Sequence, residues 1–82
     1  MGSNIIFEVL INEIRLTIPE LVDHPIARND AMADLGVNSM ERGEILIATL
    51  EAINLEIPMT QLHGPSNLGE LADLIHAKST QQ

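Results

Sequence analysis

The chain has 82 residues, with twelve Asp and Glu against four Lys and Arg, Phe7 as its one aromatic residue, and no cysteine. That length supports one core and one domain; the missing thiols exclude a disulfide frame and a thiolate metal site, and a single ring argues against an aromatic pocket for a flat cofactor. A net charge of -8 repels nucleic acid and anionic lipid and favours proteins with Lys or Arg patches as partners, although acidity can also serve solubility alone.

From Asn4 to Leu16 the apolar residues Ile6, Val9, Leu10 and Ile14 recur at helical spacing, and Pro19 stops the turn. Pro19, Pro25, Asn29-Asp30 and Gly36 then punctuate a long connection, which Leu21, Val22, Ile26, Met32 and Leu35 are expected to pin to the core. Asn38 and Glu41 match a capping box, with Asn in place of Ser or Thr, and open a second helix that runs to about Ile53 and ends before Pro58. Met59 to His63 can hold one short helical turn. Asn67 and Glu70 repeat the cap ahead of a last helix, whose buried stripe is Leu68, Leu71, Ala72 and Ile75. The tail from Ser79 to Gln82 is polar and expected to fray.

The pattern predicts an all-α fold: a small four-helix bundle with three main helices, one short helix, and a long loop between the first and second. No apolar run reaches membrane-spanning length and no basic secretory start is present, so a cytosolic protein is expected, as a monomer. Met1-Gly2-Ser3 reads as a cloning scar, and Ile6, where a hydroxyl residue is needed, argues against myristoylation.

Ser39 stands out at the start of the second helix. A hydrolase elbow requires Gly-x-Ser-x-Gly, but Val37 and Glu41 occupy the flanking positions and no strand precedes the turn. His24, His63 and His76 have neither metal-ligand spacing nor a shared predicted face, so no metal site and no catalytic residue is assigned. Ser39 could simply satisfy free backbone N-H groups in the first turn, but Asn38 already fills that role. The other reading makes Ser39 a substrate, a hydroxyl displayed for another enzyme to modify with a phosphate-bearing group, which suits a helix N-terminus.

At about 100° per residue, Ile45, Leu46, Thr49 and Ile53 fall on one side of this helix, with Leu50 on a shoulder. Met40, Glu44, Ile47 and Glu51 fall on the other side, and Gly43 leaves a gap. Apolar residues alternating with carboxylates suit docking to a groove flanked by basic residues. Alternatively, the long loop buries Ile47 and the glutamates form a solvated face.

Asp34-Leu35-Gly36-Val37-Asn38-Ser39-Met40, followed by Glu44 and later by Glu56-Ile57-Pro58, resembles the acyl carrier protein signature around its Asp-Ser-Leu motif. The likeness runs without a gap from Asp34 to Pro58, and the helix order extends it over essentially the whole chain. It implies a carrier domain over residues 1–82, not an enzyme but a substrate of partner enzymes. It further implies that Ser39 carries phosphopantetheine, attached from coenzyme A by a phosphopantetheinyl transferase, with acyl groups held as thioesters on an arm whose thiol replaces the missing cysteine. Asn38 departs from the usual Asp and removes a charge that transferases commonly meet; Met40 departs from Leu and keeps an apolar contact. Partner docking is expected from Asn38, Met40, Glu41 and Gly43, and from Glu44, Ile47 and Glu51.

A narrower likeness comes from Glu41-Arg42-Gly43-Glu44-Ile45 and Asn67-Leu68-Gly69-Glu70-Leu71-Ala72-Asp73-Leu74, which resemble the free-standing donor carriers of polyketide beta-branching cassettes. Such a carrier is loaded with malonyl by an acyltransferase and decarboxylated to acetyl by a ketosynthase-like enzyme. It then delivers the acetyl group to a hydroxymethylglutaryl-CoA synthase homologue. Two alternatives stay open: a carrier of the same fold serving fatty acid, ordinary polyketide or aminoacyl transfer, and a helical interaction module that never receives the arm.

Overall fold

Helix α1, Ser3–Thr17, lays Ile6, Leu10 and Ile14 along one side, and all three are fully buried. Their four-residue spacing keeps them on one face; Val9 is only partly covered. The computed structural model describes residues 2–80. Met1, of the tripeptide read as a cloning scar, and Gln81 and Gln82, of the polar tail, lie outside them. Ser3 opens α1, its hydroxyl donating to Asp73 and accepting from Arg28.

Helix α2, Ser39–Ala52, contributes Ile45, Leu46 and Leu50 to the same core. Thr49 is buried with them, its hydroxyl donating to the Ile45 carbonyl at 2.8 Å, so no polar group is stranded. Leu50, placed on a shoulder by the wheel, is in the core, whereas Ile53 is partly covered because it forms the C-cap. Helix α3, Leu68–Ser79, closes the core with Leu68, Leu71, Ala72 and Ile75, as its pattern predicts, and runs through Ser79 to a cap at Thr80. α1 lies against both α2 and α3. Among the described residues there is no strand. Single 3-10 turns span Pro19–Leu21, Ala33–Leu35 and Met59–Leu62, the last where a short helix was expected.

Apolar contacts and two arginines together hold the loop between α1 and α2. Met32 is buried, and Leu21, Ile26 and Leu35 pack against the core. Val22, expected to join them, is 60 % exposed. Successive residues of a 3-10 turn point about 120° apart, so once Leu21 faces inward Val22 faces water. Arg15 donates to the carbonyls of Leu21 and His24 at 3.1 and 2.9 Å. Arg28 reaches Asn4, Ser3, the Gly69 carbonyl and Asp73, and its guanidinium lies 5.2 Å from the centre of the Phe7 ring.

Gly36 takes a φ of 84°, a conformation that glycine adopts without a Cβ penalty. The turn is closed by the Gly36 N-H to the Ala33 carbonyl and the Val37 N-H to the Met32 carbonyl, at 3.1 and 3.0 Å. It sends Val37 into the core and leaves Asn38 extended, ready to cap α2. At the far end of α2, Asn54 takes a φ of 57°, with bonds from the Asn54 N-H to Glu51 and from the Leu55 N-H to Leu50. This is the double-bonded helix stop in which the residue after the left-handed one packs back on the helix; Leu55 is buried.

Candidate functional site

Ser39 occupies the first position of α2, exposed, directly after the Asn38 cap. The capping box is reciprocal: Asn38 Oδ1 accepts from the Glu41 N-H at 2.8 Å, and Glu41 Oε1 accepts from the Asn38 N-H at 3.0 Å. The Arg42 N-H donates to the Asn38 carbonyl at 2.9 Å. The N-H groups of Ser39 and Met40 therefore remain without partners among the described residues.

Helix α3 begins with the same Asn-x-x-Glu spelling but a different outcome. Asn67 Oδ1 accepts from the Glu70 N-H at 2.8 Å, while Glu70 Oε1 accepts from the N-H and hydroxyl of Ser66 at 2.9 and 3.0 Å rather than from Asn67. The expected repeat of the cap is thus half realised, because Ser66 offers Glu70 two donors at once. Those bonds hold the exposed Glu70 carboxyl below its usual range. The remaining donors meet the long loop: Leu68 N-H reaches the Asp30 carbonyl at 2.9 Å and Gly69 N-H the Arg28 carbonyl at 2.7 Å. A Cβ on Gly69 would stand 2.9 Å from Arg28 Cβ, so this approach requires glycine.

The chain has four serines. Ser3 donates to Asp73, Ser66 to Glu70 and Ser79 to the His76 carbonyl. Ser39 alone has a hydroxyl with no partner among the described residues. It borders a cavity of about 280 Å³ set between the start of α2, the Ala31–Ala33 stretch and the start of α3, to which Arg42, Leu68 and Leu71 also contribute. No histidine lines this space. Among the described residues, no three His, Cys, Asp or Glu residues are grouped as metal ligands would be.

Met40 is 76 % exposed and Ile47 49 %, with Glu44 and Glu51 exposed between and beyond them. The loop does not cover Ile47. Glu41, grouped with the docking residues by sequence, spends its carboxylate on the cap. A Cβ built on Gly43 meets nothing within 4 Å, so the gap there is open space. A second cavity, of about 330 Å³, which no spacing in the chain signals, lies where the stripe ends among Ile47, Glu51, Glu56 and Met59. It depends on the Asn54 turn folding the chain back beside α2. The partnering of Ser3, Ser66 and Ser79 was equally hidden, since it joins or caps elements in ways that spacing does not reveal.

Residues 10–75 match the model of the phosphopantetheine attachment site family. The chain is 41 % identical over 78 residues to the polyketide biosynthesis acyl-carrier protein AcpK of Bacillus subtilis (strain 168), covering 95 % of each. Its fold is similar to a chain in the crystal structure of the curacin biosynthetic pathway HMG synthase in complex with acetyl donor-ACP. The TM-score is 0.91 and the identity 36 %, over 94 % of this chain and 99 % of that one. No described helix is long and apolar enough to cross a membrane.

Proposed function

Because the chain belongs to the phosphopantetheine attachment family of acyl carriers, proteins that bear the group covalently on a serine and are not themselves enzymes, we propose that Ser39 is the attachment point. The observation that carries this reading is that, among the described residues, Ser39 alone of the four serines offers an unengaged, exposed hydroxyl, beside two unpartnered N-H groups and an open cavity. The residues present fit the group. The Ser39 hydroxyl takes the phosphodiester linkage, and the N-H groups of Ser39 and Met40 face an anion there favourably. Asn38 and Glu41 fix the turn that presents the hydroxyl. When bound, phosphopantetheine supplies a terminal thiol that carries acyl groups as thioesters.

The carrier acts in the cytosol as an acetyl donor in polyketide beta-branching, its acetyl derived from malonyl. The likeness to AcpK and to the chain in the synthase complex supports this. Its partners are a phosphopantetheinyl transferase, a malonyl acyltransferase, a ketosynthase-like decarboxylase and a hydroxymethylglutaryl-CoA synthase homologue. Met40, Glu44, Ile47 and Glu51 form the surface that meets the synthase, with Gly43 leaving room for close approach. The Met59–Leu62 turn serves as the short fourth helix of the bundle. The test is acetyl transfer: carrier primed with coenzyme A and a transferase, then acetylated, should pass its acetyl group to the synthase homologue, read by intact mass of both proteins. Retention of acetyl on the carrier, with the synthase active towards another donor, would overturn the donor role.

A further inference from the structure

The two cavities beside α2 carry opposite charge. Among the residues lining the one next to Ser39 there is no Asp or Glu, and Arg42 is its one ionised side chain. The cavity at the far end of the helix is lined by Glu51 and Glu56 and by no cation. In a chain with twelve carboxylates and four Lys and Arg, an acid-free space holding a guanidinium is unexpected from composition alone. The guanidinium is also unengaged. Arg15 and Arg28 spend theirs on the loop, whereas that of Arg42 has neither hydrogen bond nor ion pair among the described residues.

Arg42 follows Ser39 by three positions on one helix, a spacing that makes side chains neighbours on the helix surface. Resting on the Ser39 reading, we propose that Arg42 is the counter-ion of the anionic group carried on Ser39, a positioning residue that draws that group over the cavity between the starts of α2 and α3. The shared chemistry is an anionic oxygen group, which a planar guanidinium binds through paired N-H donors. It has two sources: the phosphodiester itself, or the terminal carboxylate of a diacid acyl group such as malonyl. Glu44 and Glu51 repel either one from the Met40–Ile47 stripe, so that face stays clear for a protein partner. Ala31, Met32, Leu68 and Leu71 give the cavity an apolar wall for the uncharged part of the arm.

The experiment compares apo, primed, acetyl-loaded and malonyl-loaded protein by 31P and 1H-15N NMR, in wild type, Arg42→Gln and Arg42→Lys, each checked by intact mass. Failure of the Ser39 reading appears as a mass gain that persists in Ser39→Ala, or as no mass gain in wild type, before any spectrum is taken. In fully loaded wild type, the Arg42 Nε-H and the amides of Ala31, Ala33 and Leu68 should shift; Arg42→Gln should abolish the amide shifts, and Arg42→Lys should keep part of them. Shifts in all three loaded forms identify the phosphodiester, with the 31P line moving as well. Shifts confined to the malonyl form identify the carboxylate. Loaded wild type that leaves Arg42 and the cavity amides unchanged, or Arg42→Gln with shifts equal to wild type, overturns the proposal.

Discussion

The starts of α2 and α3 share the spelling Asn-x-x-Glu and differ in what they do with their backbone donors. At α3 the Leu68 and Gly69 N-H groups are taken by loop carbonyls, and Glu70 turns outward to Ser66. At α2 the reciprocal box uses the Asn38 and Glu41 N-H groups and leaves those of Ser39 and Met40 open among the described residues. One helix start anchors the loop, the other leaves its first donors open among the described residues, and the deciding residues are not the Asn and Glu that the two starts share. Arg28 and Gly69 allow the loop to press onto α3. Gly36 turns the chain so that Asn38 caps α2 and no loop carbonyl among the described residues takes the Ser39 or Met40 N-H.

The largest effect expected from breaking this contrast is at Gly69. Gly69→Ala places a methyl against Arg28 and should destabilise the fold by about 1–3 kcal/mol, read as a lower denaturant midpoint and faster amide exchange at Leu68. Gly43→Ala, in open space on α2, should instead raise stability by up to about 1 kcal/mol. Equal losses at the two glycines would remove the distinction between the anchoring start and the open one.

Next comes the outward stripe of α2. Ile47→Ala should weaken binding to the synthase homologue by about 1–2 kcal/mol with little change in melting temperature, since the side chain is half exposed. Charge reversal at Glu44 should weaken it too, less so as salt is added. A large fall in melting temperature for Ile47→Ala with affinity unchanged would place Ile47 in the core.

The caps sharpen the comparison further. Asn38→Ala and Asn67→Ala each remove one cap bond and should each cost about 1 kcal/mol of stability, but only Asn38→Ala should slow priming, because only that cap orients Ser39. Priming slowed equally by both would make the effect one of stability alone.

The smallest effect concerns pH. The Glu70 carboxyl is held below its ordinary value of 4.5 by the Ser66 bonds in the folded state, so the stability it brings is complete above that value and fades as pH falls through the lower folded value. Glu70→Gln should flatten that part of the acid limb of a melting-temperature profile, whereas Glu41→Gln tests the cap of α2. An acid limb unchanged by Glu70→Gln would show that the Ser66 bonds contribute nothing.

Much of this was legible in the chain itself. Ile6, Leu10 and Ile14, or Leu68, Leu71 and Ile75, repeat at helical spacing, and local periodicity suffices to place them. Asn38 with Glu41 announces its own bonds because both partners lie within one turn, and the run from Asp34 to Met40 carried the family likeness. What was not legible has two causes, distance along the chain and local backbone choices that several residues would permit. Arg28 meets Asp73 and Gly69 across the fold, so neither the loop's anchoring nor the need for Gly69 shows in spacing. Val22 and Leu21 are equally apolar, and only the 3-10 turn decides which one faces inward. Asn54 adopts a left-handed conformation that its sequence neighbours permit without dictating.

The central claim is that α2, and not α3, presents the modified hydroxyl, and peptide mapping after priming tests it most directly. Cleavage after Arg and Lys separates Ser39 from Ser66, because Arg42 lies between them. The account predicts one phosphopantetheine per chain, found wholly on the peptide holding Ser39, and none on folded Ser39→Ala. Phosphopantetheine on the Ser66 peptide, or continued modification of Ser39→Ala, would contradict it.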